Sequence, residues 1–136
     1  MPGNTTVYKS VRGYFPAVWA KKDIDASTNG TIKYFSQVEI LPLPVKSSVV
    51  SITVVLSAAL TAGDLNFRIT KDGIPIGGGA NCLMEPADGV SQTKTFEPGK
   101  VVVGKAKALG VNWNADAAML PSGSIDAVIY FEVQPE

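Results

Sequence analysis

Three stretches of strict alternation do most to fix what this chain can become. Val50, Ile52, Val54 and Leu56 alternate with Ser51, Thr53 and Val55. Leu65, Phe67 and Ile69 alternate with Asn66, Arg68 and Thr70, and Ile125, Ala127, Ile129, Phe131 and Val133 alternate with Asp126, Val128, Tyr130 and Glu132. A period of two places each apolar set on one face of an extended strand. Turn chemistry separates these runs. Lys71-Asp72-Gly73 stands between Ile69 and Ile74, and Asp-Gly between apolar alternations signals a hairpin. Glu97-Pro98-Gly99-Lys100 reads as a tight turn joining Thr93–Phe96 to Val101-Val102-Val103, and Pro121-Ser122-Gly123-Ser124 launches the last strand. Short strands spaced by Gly and Pro turns predict an all-β fold, an antiparallel β-sandwich or jelly roll.

Helix signals are few. Asn114–Leu120 has room for one turn, stopped by Pro121, and Ser57–Ala62 for no more than a turn. The first 47 residues read differently from the rest. Thr5–Arg12 and Thr31–Ile40 look extended, Tyr14–Trp19 is aromatic but interrupted by Pro16, and Leu41-Pro42-Leu43-Pro44 reads as a stiff connector because two prolines remove ladder donors. We therefore expect an N-terminal arm or edge segment over 1–47 and a β-sandwich domain over 48–136.

Composition narrows the chemistry. The 136 residues contain no His and one Cys, which removes the commonest general base and the commonest transition-metal ligand and leaves no intrachain disulfide. Cys82 has no basic neighbour in Ala80–Met84 and reads as a small buried apolar residue. Gly77-Gly78-Gly79 lacks the helix start and the Lys-Ser/Thr that a phosphate loop needs. The pairs Asp23/Asp25 and Glu85/Asp88 lie in polar, turn-like stretches without a calcium-loop spacing, and no Gly-x-Ser-x-Gly elbow occurs. No enzyme activity, metal or cofactor is expected. No segment has the run of apolar residues that a signal peptide or membrane helix requires.

Charge is balanced at 12 Lys+Arg against 12 Asp+Glu, but unevenly placed. Residues 1–46 carry six basic against three acidic side chains, and 108–136 carry four acidic side chains and no Lys or Arg. Arg12-Gly13-Tyr14-Phe15 and Trp19-Ala20-Lys21-Lys22 interleave aromatics with bases, a pattern that suits stacking on single strands. Zero net charge argues against nucleic acid. The apolar fraction, 46%, exceeds what a sandwich of about 90 residues is expected to hide. The surplus points to an interface, with Tyr8, Arg12, Tyr14, Phe15 and Trp19 as candidate partner-binding residues on the arm. If so, deleting residues 1–22 leaves a folded sandwich.

The stretch 48–133 resembles small tailed-bacteriophage virion proteins, chiefly capsid decoration (cement) proteins and the β-sandwich heads of tail structural proteins. The residues that carry the likeness are Leu60–Gly73, with its strand–Asp-Gly–strand pattern, then Phe96-Glu97-Pro98-Gly99-Lys100, then Leu120–Asp126. The resemblance implies a non-enzymatic virion subunit, frequently a homotrimer, bound to the major capsid protein or other virion subunits where they meet. It implies a virion location after synthesis in the host cytoplasm. Two other readings stay open: a tail-fibre or receptor-binding head domain with aromatics on exposed loops such as Ala108–Leu120, and a free carbohydrate-binding module using Trp19 or Trp113.

Overall fold

The computed structural model describes residues 15–32, 40–42, 46–103 and 107–135, with the backbone alone at 15, 16 and 40–42. Eleven strands occur in these residues. They are β1 Phe15–Ile24, β2 Asn29–Thr31, β3 Ile40–Pro42, β4 Ser47–Leu56, β5 Leu65–Lys71, β6 Ile74–Pro75, β7 Asn81–Met84, β8 Ser91–Thr95, β9 Val102–Val103, β10 Ala108–Ala115 and β11 Ile125–Pro135. One short 3-10 turn, Pro86–Asp88, joins β7 to β8.

The three alternating runs become β4, β5 and β11, with their apolar sets turned inward. Asp72 and Gly73 both adopt positive φ, 53° and 82°, as a two-residue hairpin loop with the right twist requires, and Lys71 pairs with Ile74 across it. Beyond β10, Asn114 and Ala115 still belong to the strand. Asp116 makes the turn instead of a helix, accepting from Met119 N through its carbonyl at 3.1 Å and from Ala118 N through its carboxylate at 3.2 Å.

Two turns do not reverse the chain. β6 and β7 both lie along β5, and Ile69 holds them together: its carbonyl accepts from Ile76 N at 3.0 Å and its N–H donates to Ala80 O at 2.9 Å. Gly77–Gly79 are looped out between. β8 and β9 likewise both lie along β4. Phe96 N donates to Val50 O and Val49 N to Val101 O, each at 2.8 Å, so the Glu97–Lys100 turn bulges from a strand that resumes its course. The expectation that this turn connects two strands is met, but it closes no hairpin, because both flanks are claimed by the same neighbour.

With β2/β3, β6/β7 and β8/β9 each taken as one interrupted path, the pairings nest. β1 pairs with β11, β2/β3 with β10, β4 with β8/β9 and β5 with β6/β7, all antiparallel. This is one long hairpin whose successive rungs alternate between two sheets, which is a jelly roll. The first sheet runs β1-β11-β4-β8 and the second β2-β10-β5-β6, with β9, β3 and β7 beside β4, β10 and β5.

The core lies between the sheets. Ile52, Val54, Ile129, Phe131 and Trp19 from the first meet Leu65, Phe67, Ile69, Val111 and Met84 from the second. Of the arm or edge segment expected over 1–47, the described part takes the form of an edge strand rather than a free arm. Residues 15–24 form a strand of the first sheet, paired from Phe15↔Val133 to Ile24↔Ile125, and Ala17, Trp19, Ile24 and Ile32 are core residues. Pro16 does not exclude this strand. It sits on an edge strand, the place in a sheet that admits proline.

Candidate interaction surface

The five candidate partner residues fare differently. Tyr8, Arg12 and Tyr14 lie outside the described residues. The Phe15 backbone pairs with Val133. Trp19 is not a surface anchor: it is 1% exposed, its ring centroid 4.9 Å from that of Phe131 at a tilt of 47°. Alternation along β1 is the cause, since pairing with β11 turns Ala17 and Trp19 inward and Val18 and Ala20 outward.

Trp113 is also occupied. It stands on β10, not on a loop, and is half-buried. Its Nε1–H donates to Thr28 Oγ1 at 3.0 Å, and the Thr28 hydroxyl donates to the Asp25 carbonyl at 2.6 Å. Lys21 Nζ lies 4.8 Å from the ring centroid, a cation–π distance. Gly30 lies against the ring so closely that a Cβ there would come within 2.9 Å of Cη2. A ring held on these sides is not a free platform for sugar, and the strand over Ala108–Ala115 removes most of the exposed loop that the glycan readings required.

The surplus of apolar surface is smaller than expected, because β1 joins the core. Among the described residues the exposed large apolar side chains are Val55, Ile74, Val90, Leu120 and Tyr130. Two of them share one surface. On the outer face of the first sheet, Val18, Tyr130, Thr53 and Thr93 stand side by side across four strands, and Ala20, Val128, Val55 and Ser91 form the next row. Neither row carries a charge. Tyr130 is 43% and Val55 38% exposed, and the Thr53 and Thr93 hydroxyls hydrogen-bond at 2.8 Å.

The outer face of the second sheet is the opposite. Its rows are Thr31, Asn112, Arg68, Asn81 and Asn29, Asn114, Asn66, Leu83, with Asn81 Nδ2 donating to Asn66 Oδ1 at 3.0 Å. Amides and a guanidinium hold water well, so burying this face costs more than burying the first. These two uncharged rows are the better interaction surface, with the exposed Glu132 in the row beside them.

Comparison with known proteins bears on the fold. No family model and no curated protein matches the chain. Among solved structures, a chain of the acidic stable capsid of Helicobacter pylori bacteriophage KHP30 matches at TM-score 0.55 and 10% identity, over 90% of this chain and 87% of that one. A chain of the cyanophage Pam1 capsid asymmetric unit matches at TM-score 0.52 and 12% identity, over 90% and 85%. The likeness is one of fold. It extends nearly end to end in both directions, so the matched chains are close to this one in length.

A second region, at the open side of the sandwich, offers less chemistry. The two looped-out turns face each other across a cavity of about 500 Å³ lined by Gly77–Gly79, Lys94, Phe96 and Lys100 among others. Lys94 Nζ donates to Gly79 O at 2.8 Å and so ties one sheet to the other. Beneath it Cys82 is buried, and its thiol donates to Gln92 Oε1 at 2.8 Å. Among the described residues no group of three or more Cys, Asp or Glu side chains is placed to hold a metal ion, and no helix is long and apolar enough to cross a membrane.

Burial pushes the Cys82 thiol up from 9.0 to about 11, with Lys94 lowering it and Asp88 raising it by less. The sign follows from linkage. The folded state holds the proton more tightly, so stability is intact below about pH 9 and falls as pH rises towards 11. Native protein should resist a thiol reagent at pH 8, and Cys82→Ala should flatten the loss of Tm between pH 9 and 11. A Tm curve identical in the two proteins would remove this assignment.

Proposed function

We propose that this chain is a decoration (cement) subunit of a phage virion, not an enzyme, which binds and stabilises an assembled shell. One observation carries the reading: the jelly roll is shared almost end to end with chains of similar length in two phage capsids. The two uncharged rows on the outer face of the first sheet support it, and Tyr8, Arg12 and Tyr14 extend the contact from the N-terminal residues. Burial of apolar area contributes roughly 25 cal/mol per Å², offset by the ordering of what is buried, and repetition around a symmetric shell multiplies weak contacts. Partners are the major capsid protein or other virion subunits, and the location is the virion.

The test is co-sedimentation with shells stripped of the protein. The intact chain should pellet with them. Val55→Lys/Tyr130→Lys should stay soluble and folded but lose most binding, about tenfold or more, since desolvating two ammonium groups outweighs any rim contact. Removal of residues 1–14 should weaken attachment while leaving the sandwich folded. Full attachment by both variants would overturn the reading.

A further inference from the structure

Among the described residues, one edge of the first sheet is open along β8. The bonds from Leu56 N to Val90 O, 2.7 Å, and from Phe96 N to Val50 O, 2.8 Å, bracket the strand and set its phase. Val90, Gln92, Lys94 and Phe96 turn their backbone groups towards β4, so Ser91, Thr93 and Thr95 turn theirs away from it. Among the described residues nothing pairs with those outward groups. The strand contains no Pro, and every residue but Gln92 is exposed.

We propose that β8 pairs antiparallel with β8 of a second copy of this chain, about a two-fold axis through Thr93. This axis sets Thr93 opposite Thr93 and Ser91 opposite Thr95 twice, all pairs of the kind that exchange two backbone hydrogen bonds. Hydroxyl side chains then face one another on the outer surface, a favourable cross-strand combination. On the inner side Lys94 comes opposite Gln92. Val90, 47% exposed, comes opposite Phe96 of the second copy.

Neighbouring registers fail for definite reasons. An axis through Lys94 opposes two ammonium groups directly, which destabilises a pair. An axis through Gln92 leaves Thr95 opposite Gly89, whose φ of 69° takes it out of strand geometry. An inward lysine on an edge strand ordinarily deters pairing. Here its ammonium is drawn across to Gly79 of its own second sheet. The pairing is isologous, joins the uncharged rows of two copies into one surface, and does not rest on the virion reading.

Light scattering and two cysteine variants test it. The intact chain at roughly 100 μM should be a dimer, since a small interface has micromolar affinity. Thr93→Pro removes an N–H that makes no bond among the described residues, so it should keep the far-UV spectrum and become a monomer. Thr93→Cys should form a disulfide-linked dimer under mild oxidant, because paired Cα atoms lie about 5.5 Å apart. Thr95→Cys should not, its two copies being about 13 Å apart along the strands. Buried Cys82 does not compete. An intact chain that stays monomeric or forms a trimer, dimeric Thr93→Pro, or equal cross-linking of the two cysteine variants would overturn the proposal.

Discussion

Trp19→Ala should lower the unfolding free energy by about 3–5 kcal/mol, the range for deleting a fully buried large aromatic, and the Tm by roughly 10–20 °C. The side chain is 1% exposed, stacks at a tilt on Phe131 and belongs to the cluster shared by both sheets. Truncation leaves a cavity on β1, an edge strand held by a single neighbour, so little can collapse into it. Tyr130→Ala is the control. Tyr130 stands on the outer face, and its loss should cost well under 1 kcal/mol. Chemical denaturation of both variants gives the comparison. Equal small losses would place Trp19 outside the core.

A deletion of residues 1–22, which a detachable arm would tolerate, should instead abolish cooperative unfolding. It removes all of β1 but Asp23 and Ile24 and uncovers the ladder of β11 from Val133 to Ala127. It also strips Ala17 and Trp19 from over Phe131 and Ile129. A domain with a net stability of about 5–15 kcal/mol does not survive the loss of a strand and its largest core side chain. The expected product shows a broad thermal transition, weak near-UV ellipticity and dye-accessible apolar surface. A sharp transition within a few degrees of the full-length Tm would restore the arm.

The contrast between β11 and β1 shows what the sequence made legible. β4, β5 and β11 announce themselves because each has one face in the core and one in water, so period two survives in the residue types. β1 alternates in burial but not in residue type, since Phe15–Ala20 is apolar on both faces and Lys21-Lys22 follows. Proline forbids a central strand and is silent about an edge, and composition does not say which strand will be an edge. The glycine loop and the Glu97–Lys100 turn were recognisable as turns. That they bulge from continuing strands depends on which neighbour claims the flanks, a long-range fact.

The interaction surface was less legible. Aromatics near the N-terminus attracted attention because large side chains are conspicuous, yet Trp19 faces inward and Trp113 is engaged by Thr28, Lys21 and Gly30. The uncharged outer rows combine residues from four strands distant in sequence. Val55 in β4 and Val128 and Tyr130 in β11, the apolar members of the outward sets, hint at them, and their meaning requires the register with β1 and β8.

The outermost rung of the rolled hairpin sets Phe15 opposite Val133. Translation delivers β1 long before β11, and at about 5–20 residues per second the interval is on the order of ten seconds. Throughout it the nascent chain displays an unmatched strand with its indole uncovered. Folding can only conclude once β11 has been made, because β1 has no other partner strand among the described residues.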